Sequence, residues 1–195
     1  MAKAQRGGKW GFIDKNNNEV VPIKYDYAGY FSEGLVPVKL GDKYGYVDKR
    51  SSVVIPFRYD DARSFFGGEA MVKLNGKVGV IDKAERVLFP FKYEELGSLG
   101  DGLRYAKLDG KYGFVDRAGN VVIPLIYDEM SILVFDGLWR VKLKNKYGYL
   151  DKTGRLVIPI KYDAAADHFV HGKAKVKLGD REFYINKAGK EVPGL

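Results

Sequence analysis

One short pattern recurs through this chain at nearly constant spacing and limits the folds open to it. The pattern is an aromatic residue, a glycine, two further residues, an aspartate and a basic residue. Its copies begin at Trp10, Tyr44, Val78, Tyr112 and Tyr147, and only Val78 lacks the aromatic ring. The five glycines are separated by 34, 34, 34 and 35 residues. A fixed period of this size indicates a repeat protein, in which each unit packs on its neighbours.

The second copy predicts three strands per unit. Residues 44–49 alternate in the manner of a strand (strand A), and residues 53–59 are rich in β-branched and aromatic side chains (strand B). Residues 69–74 form a third candidate (strand C), followed by the tight-turn pair Asn75-Gly76. No segment shows the 3.6-residue period of a helix. We therefore predict an all-β fold.

Turn residues and prolines predict how the strands pair. Short turns with Gly or Asn join strand C to the next strand A, and similar turns join A to B, so C, A and B form an antiparallel meander with A in the middle. Strand B carries a proline in every unit, which predicts that B lies at the sheet edge or is bulged. These prolines are Pro22, Pro56, Pro90, Pro124 and Pro159.

The middle strand is apolar on both faces, so each unit should be covered by neighbours on both sides. A glycine in mid-strand indicates that another group approaches closely. We predict that a bulky side chain of the adjacent unit lies over each motif glycine. The loops between B and C carry large apolar residues that we expect to fold inward, namely Phe31, Phe65, Leu99, Phe135 and Phe169.

These units predict a single β-repeat array over residues 1–195, with five full units and a partial unit at each end. We favour tandem three-stranded meanders stacked as an open array, or solenoid. The sixth copy of strand A has Phe183 in place of the glycine, as expected of an end unit with no neighbour beyond it. The alternative is a closed, propeller-like ring of six units.

Composition excludes several classes of site. The chain has no cysteine, so it has no disulfide or thiolate metal site, and no apolar run reaches the ~20 residues of a membrane span. Residues 1–8 contain no apolar stretch, so we expect no signal peptide in this chain, and the compartment stays undetermined. The net charge of +8 is spread evenly, which is typical of solubility. We expect a monomer.

The motifs together resemble the WG-repeat family, whose Trp-Gly pair stands intact here as Trp10-Gly11. The shared pattern is aromatic-Gly-x-x-Asp-basic, then Val-(Val/Ile)-Pro, basic-Tyr-Asp and (Val/Ala)-Lys-Leu, and it covers essentially the whole chain. Departures are confined to single positions, at Val78, Glu94 and Ile126. The resemblance implies a bacterial β-repeat protein that serves as a binding or scaffolding module. It implies no catalytic residue and no cofactor.

Two functions fit these residues, and neither is enzymatic. The first is a non-catalytic module that binds another protein, and residues that break the repeat are its candidate contacts. These are Trp139, Arg104, Tyr105, Phe66 and Tyr30; if they face outward they mark a surface, and if Trp139 only fills space they mark none. The alternative is binding of an anionic polymer, nucleic acid or cell-wall polymer, through a column of lysines. These are Lys39, Lys73, Lys107, Lys142 and Lys177.

Two other repeated columns are interpreted as structural. The motif aspartates, Asp14, Asp48, Asp82, Asp116 and Asp151, should close the A–B turn on its backbone. The tyrosines that end strand B, Tyr25, Tyr59, Tyr93, Tyr127 and Tyr162, should belong to the core. His168 and His171 lack a third ligand, which predicts a solvated loop.

Overall fold

The computed structural model describes residues 1–100, 102–131 and 137–194, with residues 99 and 100 described by their backbone alone. The chain divides into two compact units, Met1–Tyr93 and Glu94–Leu195. The described residues form strands and turns without a helix, which confirms the all-β prediction. A single array over residues 1–195, and its open or closed form, stay predictions.

Three antiparallel sheets build the first unit. Sheet 1 contains β1 (Ala2–Arg6), β2 (Lys9–Ile13) and β3 (Glu19–Tyr25). Sheet 2 contains β4 (Tyr27–Ala28), β5 (Leu35–Leu40), β6 (Lys43–Asp48) and β7 (Val53–Tyr59). Sheet 3 contains β8 (Asp61–Ala62), β9 (Glu69–Leu74), β10 (Lys77–Asp82) and β11 (Val87–Tyr93). Strands that follow each other in sequence are neighbours in each sheet.

The second unit repeats this order in three further sheets. Sheet 4 contains β12 (Glu95–Gly100), β13 (Leu103–Leu108), β14 (Lys111–Val115) and β15 (Val121–Tyr127). Sheet 5 contains β16 (Glu129–Met130), β17 (Leu138–Leu143), β18 (Lys146–Asp151) and β19 (Leu156–Tyr162). Sheet 6 contains β20 (Ala164–Ala165), β21 (Lys173–Leu178), β22 (Arg181–Asn186) and β23 (Glu191–Val192).

The predicted C–A–B meander is confirmed, with strand A central and strand B at the edge. Sheets 2 to 6 also contain a fourth strand (strand D), which directly follows the preceding strand B and pairs with strand C. In sheet 2, Tyr27 of strand D lies opposite Lys39 of strand C. Strand D was not predicted, because most copies are only two residues long, too short to show an alternating pattern.

Strand B is bulged where it passes the motif glycine. Tyr44 pairs with Tyr59 and Tyr46 pairs with Ile55, so residues 56–58 all lie opposite Gly45. A Cβ atom at Gly45 would lie 2.7 Å from the carbonyl oxygen of Ile55, closer than side chains approach a backbone. The same strand B lies within 2.9 Å of the Cβ position at the other motif glycines, Gly11, Gly79, Gly113 and Gly148.

The prediction that a side chain of the adjacent unit covers each glycine is therefore wrong, since the close group is strand B of the same sheet. Sheet 6 supports this explanation. Its short strand β23 pairs with β22 only at residues 184 and 185, with no register shift, and Phe183 stands in place of the glycine. The ring of Phe183 contacts Tyr162 of the preceding sheet at 6.2 Å between centroids. Phe57, which follows the bulge proline in sheet 2, likewise contacts a tyrosine of the preceding sheet, stacking on Tyr25 at 6.1 Å between centroids.

The core lies between successive sheets of each unit. In the first unit, Phe12, Val21 and Tyr25 of sheet 1 pack with Val36 and Val38 of sheet 2. In the second unit, sheets 4 and 5 share one apolar cluster, and sheets 5 and 6 share another. All five tyrosines that end strand B are buried, as predicted, and four of them belong to apolar clusters between sheets. Sheets 2 and 5 have a neighbouring sheet on each side within their unit, so their strand A is covered on both faces.

The B–C loops supply further core residues, as expected. Phe65 and Phe169 are buried, and their rings lie 4.9 Å from Tyr46 and 5.1 Å from Tyr149. The ring of Phe31 lies 4.8 Å from that of Phe12. The side chain of Leu99 and all of Phe135 lie outside the described residues.

The motif aspartates close the A–B turns, which confirms their structural interpretation. Asp48 accepts hydrogen bonds from the amides of Arg50 and Ser52 at 2.8 and 2.9 Å. In the fifth repeat, a hydrogen bond from Thr153 to Asp151, with the turn amides, lowers the pKa of this carboxyl to about 2. The side-chain oxygen of Asn186 accepts the equivalent amides in the sixth repeat. An uncharged acceptor is therefore sufficient at this position.

The glycine–bulge contact leads to a testable difference between two glycines of sheet 4. Gly113→Ala places a methyl group 2.5 Å from the carbonyl oxygen of Ile123, so we expect the free energy of unfolding to fall by about 2–3 kcal/mol. Gly110→Asn is the control, because Gly110 has φ +74° and open space around it, and Asn tolerates that conformation. Urea unfolding measures both variants. Equal losses for the two would contradict the explanation.

Candidate functional site

A cleft lined by tyrosines opens between sheets 2 and 3 of the first unit. Its volume is about 420 Å³, and its walls include Tyr27, Tyr30, Pro37, Tyr44, Asp61 and Arg63. We call it the tyrosine cleft. Aromatic rings supply most of the apolar wall, and a carboxylate and a guanidinium supply charge. This combination suits a ligand with apolar groups and a few polar ones.

Strand pairing places these side chains. Tyr27 lies opposite Lys39, which lies opposite Tyr44, so these three side chains project from the same face of sheet 2. The ring of Tyr27 packs edge-on against Tyr44, with centroids 5.9 Å apart. The loop after Tyr27 lies close to strand C, since a Cβ atom at Gly29 would approach Pro37 to 2.8 Å.

Two neighbouring loops, residues 29–34 and 63–68, hold the exposed aromatics beside the cleft. The hydroxyl of Ser32 donates to the carbonyl of Phe65 at 2.6 Å, and that of Ser64 donates to the carbonyl of Tyr30 at 3.2 Å. The backbone of the two loops is thereby fixed side by side. Tyr30 and Phe66 then project into solvent, with 74% and 86% of their surface exposed.

The other candidate protein contacts lie in the second unit, and two of them are not exposed. Trp139 is 3% exposed and packs edge-on against Phe114 at 4.4 Å, because its position on β17 faces sheet 4. Arg104 is also buried. Of the two alternatives left open by the sequence, Trp139 therefore follows the one in which it fills space in the core. Tyr105 is half-buried and lines a second cleft of about 330 Å³ with Glu95, Tyr112, Glu129 and Arg140.

The lysine column is partly neutralised by acids. Lys107 lies 3.2 Å from Glu95, and Lys142 lies 2.7 Å from Glu129. Hydrogen bonds with Glu129 and then Tyr147 raise the pKa of Lys142 above its usual value. Elsewhere in the column, Lys39 lies over the ring of Tyr44, Lys73 lies opposite Asp61, and Lys177 is exposed opposite Ala164.

The family model named WG containing repeat matches five consecutive segments of the chain, residues 10–44, 44–77, 79–112, 112–147 and 147–181. These boundaries follow the glycine–bulge repeats described above. The chain belongs to the WG containing repeat family. No curated protein matches the chain.

Two solved structures are among those similar to this WG-repeat chain. A crystal structure of the eukaryotic initiation factor has 10% sequence identity and a TM-score of 0.52, covering 97% of this chain and 61% of that one. This chain thus spans less than two thirds of that protein's length. Hsv2p from Kluyveromyces lactis has 8% identity and a TM-score of 0.44, covering 95% of this chain and 70% of that one. At 10% identity, the first match shows likeness of fold alone.

A second acidic column of the WG repeats was missed in the sequence, although the Tyr-(Asp/Glu) pair marks it. Asp60 accepts a hydrogen bond from the amide of Gly76 at 2.8 Å and forms an ion pair with Lys43 at 2.6 Å. The hydrogen bond from Lys43, followed by that from Gly76, lowers the pKa of this carboxyl. The column ties the end of strand B to the turn between C and A. Its members are Asp26, Asp60, Glu94, Asp128 and Asp163.

Two further findings concern metals and membranes. Within the described parts of the chain, no three His, Cys, Asp or Glu side chains are grouped so that they would hold a metal ion. Those same parts contain no helix with the length and apolar character needed to cross a membrane.

Substitution by alanine should distinguish the buried aromatic residues of this chain from the exposed ones. We expect Trp139→Ala to lower the free energy of unfolding by about 3–5 kcal/mol, because it removes a packed core side chain. Phe66→Ala should change it by no more than about 0.5 kcal/mol, because the ring is exposed. Urea unfolding of both variants measures the difference. A small loss for Trp139→Ala would contradict its burial.

Proposed function

We propose that this chain is a non-catalytic protein-binding module, and that the tyrosine cleft with Tyr30 and Phe66 contacts the partner. The family and the fold support a non-catalytic repeat module. The observation that carries the finer proposal is the pair of exposed rings on two loops held together by hydrogen bonds. Exposed aromatic side chains are frequent anchors of protein interfaces. Loops that are already ordered lose little conformational entropy when a partner binds.

The chemistry of the cleft favours an extended peptide segment of the partner. Tyr27, Tyr30 and Tyr44 offer ring faces and edges to apolar or proline side chains, and Pro37 adds an apolar surface. Grooves lined by aromatic residues bind extended, proline-rich segments in this manner. Asp61 and Arg63 would pair with charged residues that flank such a segment.

The alternative, binding of an anionic polymer through the lysine column, is favoured by the net charge of +8 and by the exposed Lys177. It is disfavoured in the second unit, where Lys107 and Lys142 are each paired with a glutamate. Exposed cations without such partners are better suited to bind phosphate or sulfate groups.

Selection of peptides tests the proposal without a known partner. A phage-displayed library of random linear peptides is selected on the immobilised chain, and enriched peptides are titrated against it by calorimetry. We expect enriched peptides to contain apolar or proline residues. Their affinity should fall at least about tenfold in a Tyr30→Ala, Phe66→Ala double variant, because each interface aromatic contributes more than ~1 kcal/mol.

The control is a variant with Lys73, Lys107 and Lys142 changed to glutamate, which should bind the selected peptides as the wild type does. Heparin and double-stranded DNA are titrated in parallel at two salt concentrations. Failure to enrich peptides, or retention of their binding by the double aromatic variant, would contradict the proposal. Heparin binding that falls steeply with salt and is lost in the lysine variant would support the alternative.

A further inference from the structure

The ammonium group of Lys3 lies among three aromatic rings. Its Nζ atom is 4.1 Å from the ring centroid of Trp10, 5.1 Å from that of Tyr27 and 5.5 Å from that of Tyr30. All three distances are within the roughly 6 Å at which a cation is attracted to the face of a ring. Nζ also donates a hydrogen bond to the carbonyl oxygen of Ala28. We call the three rings the aromatic cage.

Two sheets of the first unit build the cage. Lys3 on β1 and Trp10 on β2 belong to sheet 1, where Trp10 pairs with Gln5. Tyr27 on β4 and Tyr30 in the following loop belong to sheet 2 and its connection. Among the described cation–ring contacts, Lys3 is the one cation that lies over three rings; Lys39 and Lys107, for example, each lie over one.

The cage fits a methylated ammonium better than it fits a lysine. A lysine ammonium has three N–H donors, and one of them is directed to Ala28. Aromatic ring faces are poor hydrogen-bond acceptors for the other two N–H groups of Lys3. Burial also lowers the pKa of Lys3. A quaternary ammonium has no N–H donor to satisfy and is the cation for which aromatic cages are selective.

We propose that Trp10, Tyr27 and Tyr30 form a binding site for a quaternary ammonium group, and that Lys3 occupies this site as an intramolecular competitor. The ligand class is a trimethylammonium, carried either by a choline-type small molecule or by a trimethyllysine side chain. The cage shares Tyr27 and Tyr30 with the tyrosine cleft, but small cations test it without the peptide partner proposed above.

The strand that carries Lys3 is suited to leave the cage. β1 lies at the edge of the three-stranded sheet 1 and pairs there with β2 alone. Its alanines, Ala2 and Ala4, bury little apolar surface, and Met1 is 54% exposed. Displacement of Lys3 therefore costs few core contacts, whereas Trp10 is fixed in the middle strand of the sheet.

The test uses the tryptophan of the cage as its reporter. Choline and N-acetyl-trimethyllysine amide are titrated into the full chain and the change in tryptophan fluorescence is followed; the second tryptophan, Trp139, is buried and has little access to the titrant. We expect Lys3→Ala to bind both cations at least about tenfold more tightly than the wild type, since the competitor is absent. A Lys3→Ala, Tyr30→Ala double variant should bind both cations about tenfold more weakly than Lys3→Ala alone. This difference in affinity is the equivalent of one strong cation–ring contact.

Matched controls separate the cage from general effects of charge. Lys9→Ala removes the same charge from the neighbouring strand, where Lys9 pairs with Asp26, and should leave binding at the wild-type value. The neutral analogue 3,3-dimethylbutan-1-ol, which has the shape of choline, should bind much more weakly. Preferential binding of one cation would identify the small molecule or the lysine side chain as the source.

The proposal is overturned if Lys3→Ala shows no saturable response, if Lys9→Ala gains as much affinity, or if the neutral analogue binds equally. A second measurement does not depend on any Lys3 variant. In the wild type, ring currents should move the Lys3 ε-methylene protons to high field in the proton spectrum, and Tyr30→Ala should reduce this shift. Ordinary lysine shifts in the wild type would show that no cage is formed.

Discussion

In each of the five full repeats, the backbone of the bulged strand B approaches the motif glycine more closely than any side chain there would allow. At Gly113, a methyl group would lie 2.5 Å from the carbonyl oxygen of Ile123 and 2.6 Å from that of Pro124. The glycine and the proline are therefore two parts of one feature. The bulge places the proline at an edge position where its missing N–H costs no hydrogen bond to a neighbouring strand.

The bulge also determines how sheets contact each other within a unit. Tyr59 on strand B packs in the core between sheets 2 and 3, whereas Phe57, beside the bulge, contacts Tyr25 of sheet 1. One strand thus serves both neighbouring sheets. In sheet 6 a side chain of strand A makes the contact with the preceding sheet. Strand B is short and regular there, and Phe183, which stands in place of the motif glycine, contacts Tyr162. Loss of the glycine and loss of the bulge occur together.

Much of this architecture follows from the sequence, because the repeat period, turn residues and prolines are local signals. They predicted the meander, the edge position of strand B, the aspartate turns and the buried tyrosines. The partner of the glycine and strand D were not predictable from local pattern, since one depends on strand register and the other is two residues long in most copies. Among the candidate contact residues, side-chain exposure determines which ones a partner can reach. Tyr30 and Phe66 face solvent, whereas Trp139 fills the core. The cage around Lys3 brings together residues from two sheets, which no spacing in the sequence indicates.

The most direct test of the central claim is the set of proton–proton nuclear Overhauser effects from the α-protons of the motif glycines. The structure places the Cβ position of Gly11 2.7 Å from the backbone nitrogen of Ile23, and that of Gly45 3.1 Å from the nitrogen of Phe57. We predict strong effects from the Gly11 and Gly45 α-protons to the amide protons of Ile23 and Phe57, respectively. Their absence, together with effects to side chains of an adjacent sheet, would contradict the account and restore the adjacent repeat as the close neighbour.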